Sequence, residues 1–150
     1  MHIRKLDKTD ERILHELIGD AKISLRELAK KVQVSFVTVM HRIRHLEKDG
    51  VFRGYHADVD YSKLGFDTQV IIEIKISKGK LFELEKKIGV SHNVCAVYDT
   101  TGEYDATVIA RFTSTRKLDE FLKQLQMMPN VERTHTKLVL NTIKEAPLRP

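Results

Sequence analysis

Two stretches of the chain concentrate side chains whose chemistry suits a ligand. The first lies on a helical pattern near residue 40 and carries hydroxyl, imidazole and guanidinium groups: Ser35, Thr38, His41, Arg42, Arg44 and His45. Guanidinium groups pair with guanine, imidazole and hydroxyl groups reach base edges, and a hydroxyl at a helix start binds phosphate. These residue types in this arrangement indicate a surface that contacts double-stranded DNA.

The second stretch is a polar turn whose members are Thr100, Thr101, Gly102, Tyr104 and Asp105. An α-amino acid needs a carboxylate for its ammonium group and amides or hydroxyls for its carboxylate. Asp105 supplies the first, while the two threonines and the Gly102 amide supply the second. Gly102 also permits an unusual backbone dihedral and close approach of a ligand. An ordinary hairpin loop is the competing interpretation of this turn.

The charge distribution supports a phosphate-rich partner. The chain has 26 Lys and Arg against 21 Asp and Glu, a net charge of +5. Residues 22–48 alone carry seven cations and two anions, so this segment accounts for the whole surplus. A local basic surplus is typical of nucleic-acid binding because neutralised phosphates release counterions. A solvated helix face is the alternative.

Composition excludes several classes of protein. The 150 residues suffice for one or two small domains. Apolar runs span only a few residues, as at 70–72, whereas a membrane-spanning helix needs roughly 20. The start of the chain lacks the apolar core of a secretory signal, and the lone Cys95 excludes an internal disulfide framework. His41 and His45 have metal-ligand spacing without a third ligand nearby. We therefore predict a cytoplasmic protein with no membrane association, metal or cofactor.

The first third of the chain has the pattern of a helix-turn-helix. Asp7, Ser24 and Ser35 are placed to cap three helices, each of which carries apolar residues at helical spacing. A very short connection joins the second and third helices, with the small Ala29 where they cross. In this motif the second of the two helices enters the major groove of DNA, which is why the residues near position 40 stand out.

Beyond Gly50 the hydrophobic period changes from 3.6 to 2. Residues 51–60 are expected to form a strand or extended hinge, and two strand–helix–strand units follow. The predicted elements are strands at 70–76, 93–99, 104–112 and 134–143 and helices at 80–88 and 118–125. This βαββαβ order is ferredoxin-like, with both helices on one face of the sheet and a second copy of the chain expected to cover the other.

The predicted fold is therefore α+β, with an N-terminal winged-type helix-turn-helix domain and a C-terminal ferredoxin-like domain for effector binding and oligomerisation. The expected organisation is a DNA-binding domain at 1–52, a hinge strand and linker at 53–66, and the ferredoxin-like domain at 67–150.

The order and spacing of many residues resemble the Lrp/AsnC family of transcription regulators. The matching positions are Leu6-Asp7, Asp10, Ile13-Leu14, Leu28-Ala29, Ser35, Thr38-Val39, Arg42-Ile43, Leu46-Glu47, Gly50-Val51 and Gly54-Tyr55. Two positions depart from the pattern: Gln33 stands where such turns often have glycine, and Phe52 replaces a more usual isoleucine. A glutamine there implies either a turn without a left-handed residue or slight strain.

The resemblance implies an effector-modulated regulator in which amino acids bind between neighbouring ligand-binding domains. It carries over Gly102, Tyr104 and Asp105 as effector-binding residues, and it suggests that the last strand, with Thr134 and Thr136, lines the same site. It also implies a dimer whose two recognition helices meet successive major grooves, assembling further into a tetramer or octamer. Good strand composition is the alternative explanation for Thr134 and Thr136.

Several residues have a structural alternative to the functional interpretation. Arg42 is able to pair with Glu47 or Asp49 instead of DNA, and Phe36 either packs on the first helix or contacts a thymine methyl. Cys95 is expected to be a buried strand residue and not a nucleophile.

A different class of function also fits the ferredoxin-like fold. The chain would then be a small-molecule-binding or catalytic oligomer whose N-terminal helices serve assembly only. We expect no enzyme activity, because no nucleophile–base pair or glycine-rich phosphate loop stands out.

Overall fold

The chain packs as two units. The computed structural model describes residues 5–77 and 86–150. The first unit runs to Asp58 and also takes in Lys144–Pro150, while the second comprises Val59–Ile143.

Three helices form the first unit: α1 at Lys8–Gly19, α2 at Leu25–Val32 and α3 at Phe36–Lys48. Asp7, Ser24 and Ser35 cap them as predicted, each side chain accepting a hydrogen bond from a backbone amide of the first turn. The buried apolar residues come from all three helices and include Ile13, Leu17, Leu28, Val32, Val39, Ile43 and Leu46. The helix-turn-helix prediction is confirmed.

The turn between α2 and α3 uses a left-handed residue that is not glycine. Gln33 has φ 59° and ψ 44°, and its amide donates to the carbonyls of Ala29 and Lys30 at the end of α2. A side chain with a Cβ atom costs about 1 kcal/mol in this conformation. Gln33 therefore adopts, with strain, the left-handed conformation that glycine usually takes at this position, and the turn keeps its left-handed residue.

The segment after α3 excludes one of the two predicted alternatives, the strand, and leaves the extended hinge. Residues 51–60 form no strand, and a short 3₁₀ helix follows at Tyr61–Leu64. No strand is present in the described part of the first unit, so it has no β-wing and the winged-type prediction is wrong in that detail. The segment lacks an alternating apolar face, and no strand in the described part of the chain pairs with it.

The second unit is built on a four-stranded antiparallel sheet. Its strands are β1 at Thr68–Ile76, β2 at Val94–Asp99, β3 at Ala106–Phe112 and β4 at Val131–Leu138, in the order β2-β3-β1-β4. Helix α4 at Thr115–Gln126 connects β3 to β4. Residues 86–89, before β2, are helical, and the rest of the helix predicted at 80–88 lies outside the described residues. This order is that of the predicted ferredoxin-like fold.

Strand periodicity divides the sheet into a buried face and an open face. Alternate residues of β1 and β3 are buried with Ile88 and Leu125: Val70, Ile72, Ile74, Ile76, Ala106, Val108, Ala110 and Phe112. The residues between them, such as Ile71 and its cross-strand partner Ile109, lie on the opposite face and are half-buried.

Two details of the strand predictions are wrong. The last strand covers Val131–Leu138 and not 134–143, because its partner β1 begins at Thr68 and pairing ends there. Cys95 is exposed and not buried, because the register of β2 shifts between Val94 and Ala96 and leaves Cys95 at the irregularity.

Candidate functional site

The outward face of α3 is a basic stripe. Val39, Ile43 and Leu46 are buried, and the exposed residues on the far side of the helix are Val37, His41, Arg44, His45 and Lys48. Among residues 5–77 and 86–150, Arg44 has no ion-pair partner. The cationic groups of this stripe therefore face solvent, where a polyanion can reach them.

Two hydroxyl groups mark the start of α3. Ser35 Oγ accepts from the Thr38 amide at 3.1 Å and lies 2.8 Å from Thr38 Oγ1. This pair fixes the position of both hydroxyls beside the first-turn amide groups, which attract anions. The predicted residues Ser35, Thr38, His41, Arg44 and His45 thus occur on one helix, next to each other or one turn apart.

A second concave site lies on the open face of the sheet. Strand pairing sets Glu73 of β1 opposite Thr107 of β3 and His135 of β4, which forms a row across three strands. The turn after β2 closes one end of this row with Thr100, Thr101, Glu103 and Tyr104, and Arg133 completes the lining. The cavity measures about 570 Å³, within the range of small-molecule sites.

Charged groups of both signs line this cavity. Glu73 accepts from Lys137 at 2.8 Å and lies 3.1 Å from His135 Nδ1, and these contacts, led by the Lys137 hydrogen bond, hold the pKa of Glu73 below its usual value. Arg133 pairs with Glu103, a contact that raises the pKa of Arg133, and its guanidinium lies 5.1 Å from the Tyr104 ring centroid. The site therefore offers a carboxylate and a guanidinium to a zwitterion.

The second unit has another concavity of about 270 Å³ on the side of the sheet where α4 packs. His92, Lys117 and Phe121 are among its lining residues, and none of the predicted effector residues lines it. The predicted residues thus favour the cavity on the open face.

Models of two protein families match the chain in the same order as the two units. The AsnC-type helix-turn-helix domain matches residues 6–47, and the Lrp/AsnC ligand-binding domain matches residues 69–148, more than half of the chain. The chain belongs to the Lrp/AsnC family. It is a transcriptional regulator of this type with a ligand-binding domain.

Curated relatives carry the same description. An uncharacterized HTH-type transcriptional regulator of Pyrococcus furiosus is 40% identical over 141 residues, which cover 94% of this chain and 95% of the relative. The HTH-type transcriptional regulator FL11 of Pyrococcus horikoshii is 36% identical over 140 residues, 93% of each chain.

Solved structures of similar proteins have the same fold. AsnC of Escherichia coli superposes with a TM-score of 0.90 at 27% identity, covering 97% of this chain and 99% of AsnC. A transcriptional regulator of Neisseria meningitidis in complex with L-Met gives a TM-score of 0.85 at 26% identity, covering 95% and 94% of the two chains.

In this Lrp/AsnC chain Arg42 does not lie on the outward stripe. Its guanidinium binds Asp7 and also Asp10, the latter at 3.1 Å, and Asp10 is completely buried. The Asp10 amide and Arg42 together keep the pKa of Asp7 below its usual value. The expectation that Arg42 is presented to guanine is not met, and neither is the alternative pairing with Glu47 or Asp49. The side of α3 that carries Arg42 faces the start of α1.

The predicted effector residues separate into three groups. Thr100, Thr101 and Tyr104 line the cavity. Gly102 has φ 121°, a conformation that suits glycine and shapes the turn between them. Asp105 is instead engaged in the sheet: its carboxylate accepts from the Ile76 amide at 2.8 Å and from Lys75 at 3.3 Å. These contacts, the Ile76 amide first, hold the pKa of Asp105 below its usual value.

Thr134 and Thr136 lie on the other side of the sheet. They pair with Ile74 and Ile72, whose side chains are buried on the helix-covered face, and Thr134 Oγ1 accepts from Gln126 of α4 at 3.2 Å. The residues predicted to bind the effector are even-numbered residues of β4, whereas the odd-numbered Arg133 and His135 line the cavity. Glu73, Arg133 and His135 line the cavity but are not among the predicted site residues. For β4 the sequence contains a signal that indicates a shared polar face, because a period of 2 puts Arg133, His135 and Lys137 on one side of the strand.

Neither a metal cluster nor a membrane span is found in the residues that the structure describes. No three His, Cys, Asp or Glu side chains within 5–77 and 86–150 are grouped to hold a metal ion. None of the helices in those ranges is both long and apolar enough to cross a bilayer.

Proposed function

We propose that this Lrp/AsnC-type regulator binds double-stranded DNA through the outward stripe of α3. Arg44 and His41 contact base edges, His45 and Lys48 lie beside them at the backbone, and Ser35 and Thr38 place the helix start against a phosphate. The observation that carries this assignment is the exposure of His41, Arg44, His45 and Lys48 on one side of a helix whose other side is buried. Arg42 serves the packing of α3 on α1.

The effector that we propose is an α-amino acid bound in the cavity on the open face of the sheet. Its carboxylate pairs with Arg133 and the hydroxyls of Thr100 and Thr101, and its ammonium group pairs with Glu73 or Glu103. The L-Met complex of the Neisseria meningitidis regulator supports this class of ligand. Asp105 and Gly102 act indirectly, because they hold the turn that carries the threonines.

We further propose that copies of the chain associate through the open face of the sheet, where Ile71 and Ile109 are paired. The resulting dimer presents two α3 helices to successive major grooves and assembles into a tetramer or octamer. An effector changes DNA binding only if its affinity differs between the assembly states. The proposed location is the cytoplasm, and the proposed function includes no catalytic step.

Two binding measurements test this function. Wild-type protein is titrated with duplex DNA by fluorescence anisotropy at several salt concentrations. We expect affinity that prefers some sequences and falls steeply with salt, because phosphate contacts release counterions. Duplex binding without sequence preference or salt dependence would contradict the DNA-binding assignment.

The effector site is tested by a thermal-shift panel of the standard amino acids. A ligand that binds only the native state raises the melting temperature. We expect one or a few amino acids to do so for the wild type, and the shift to disappear in Arg133→Met. The matched control is Arg116→Met, which also removes an ion-paired surface arginine of the second unit but lies outside the cavity. Equal loss in both variants would exclude Arg133 as a ligand contact.

A further inference from the structure

The first turn of α3 exposes two large apolar side chains. Phe36 is 43% exposed and Val37 is 55% exposed, and they are the first two residues of the helix. The partly buried residues packed against the core of this unit are Leu6, Leu25, Val34 and Phe52. Phe36 is more exposed than these residues, although its spacing of three and seven residues from the buried Val39 and Ile43 places it at the edge of the core side of the helix.

The position of Val37 on α3 places it within the basic stripe. It lies four residues before His41, seven before Arg44 and eleven before Lys48, and these spacings keep all four on one side of the helix. Val39 and Ile43, which are buried, occupy the other side. Val37 therefore points in the same direction as the groups assigned to DNA, and it does so from the helix end that enters the major groove first.

Charge decides between two possible occupants of this apolar patch. A second copy of the chain would bring an equally basic stripe against Arg44 and Lys48, and like charges repel. A DNA duplex instead brings phosphates to these cations and presents one apolar group in its major groove, the C5-methyl of thymine. The chemistry of the patch and of its surroundings therefore fits the same partner.

We propose that Val37, with Phe36 beside it, determines sequence specificity by packing against thymine methyl groups in the major groove. This inference rests on the proposed DNA-binding role of α3 and adds to it the base that the helix start selects. The cationic groups supply affinity and contacts to other base edges, and the apolar pair supplies a preference for A·T pairs in a defined orientation at one or two positions of each half-site.

Deoxyuridine substitution tests the contact, because it removes only the methyl group of thymine and keeps base pairing. A duplex is first selected from a random pool with the wild-type protein, and each thymine is then replaced singly by deoxyuridine. We expect one or two positions per half-site at which affinity falls about four-fold, the factor that burial of one methyl group contributes. In Val37→Ala the loss at those positions should shrink to less than about two-fold, since the partner surface is gone.

The matched control is Val90→Ala, the same substitution at a residue that is 84% exposed in the second unit. This variant should keep the full deoxyuridine effect. Light scattering on all three proteins reports their mass, and a change of mass in Val37→Ala alone would identify the patch as a contact between copies and overturn the inference.

Two further results would overturn it. Selected duplexes that bind with strong salt dependence but are insensitive to deoxyuridine would leave the proposed DNA-binding function standing and remove the methyl contact. Deoxyuridine effects of equal size in the wild type and in both Val37→Ala and Phe36→Ala would assign the methyl contact to other residues. Failure to select any duplex would remove both proposals.

Discussion

Arg42 and Arg44 provide a matched pair of substitutions on one helix. Arg42 binds Asp7 and the buried Asp10, whereas Arg44 is exposed and has no ion-pair partner in the described ranges. Replacement of each by Met keeps an unbranched side chain of similar length and removes the charge. We expect Arg42→Met to lower stability and Arg44→Met to lower DNA affinity.

The size of the stability effect follows from the surroundings of Asp10. In Arg42→Met its Oδ1 atom loses the guanidinium at 3.1 Å, while Oδ2 keeps the Asp7 amide at 3.3 Å. A hydrogen bond to a charged group contributes about 1.5–3 kcal/mol to stability. Because the substitution removes the guanidinium contact of a buried carboxylate, we expect a loss of about 2 kcal/mol. Arg44→Met should stay within about 0.5 kcal/mol, as is usual for an exposed position.

Chemical denaturation followed by circular dichroism gives the free energy of unfolding, and anisotropy titrations give DNA affinity against salt. Arg44→Met should weaken binding to the preferred duplex by about 1–3 kcal/mol and relax the sequence preference, as expected for a residue at base edges. Arg42→Met, measured where it is fully folded, should keep the wild-type affinity and sequence preference. The reasoning is refuted if Arg42→Met unfolds like the wild type and loses the salt-dependent affinity.

Three other outcomes are expected. Gln33→Gly should raise the free energy of unfolding by about 0.5–1 kcal/mol, since glycine adopts the left-handed conformation without strain, and a destabilised variant would show that the turn is not strained. The lowered pKa of Asp105, due to the Ile76 amide and Lys75, stabilises the fold fully above its ordinary pKa of 3.8 and less as pH falls below it. Calorimetry on Asp105→Asn should therefore show a weaker decline of stability in acid, and an unchanged decline would exclude this contact. Ile109→Glu should lower the mass measured by light scattering if the open face of the sheet holds the copies together, and an unchanged mass would assign the assembly to another surface.

Helix caps and periodicity made much of the architecture predictable. Asp7, Ser24 and Ser35 act within three residues of their own position, so the starts of α1, α2 and α3 follow from local sequence. The alternation of residues in β1 likewise defines a buried face without knowledge of its neighbours. The wing is not found because a strand also requires a partner, and none of the strands described within 5–77 and 86–150 pairs with residues 51–60.

The site was only partly predictable, since pairing decides which polar residues meet. Thr100, Thr101 and Tyr104, which residue type singles out, line the cavity, but Glu73 and His135 join it from positions 62 residues apart. Thr134 and Thr136 have suitable chemistry on the wrong face. A step of one residue along β4 moves a side chain from the cavity face of the sheet to the helix-covered face.

By itself the sequence determined the order of elements, the two-part organisation, the basic third helix and the family resemblance, because these depend on composition and on contacts within a few residues. The tertiary structure decided that Arg42 binds Asp10 across 32 residues and that Arg133 and His135 face the cavity. It also decided that Val37 stands exposed among cations. Such roles depend on which surfaces pack together. The local pattern shows which residues share a face, but contacts between residues far apart in the chain decide what that face meets.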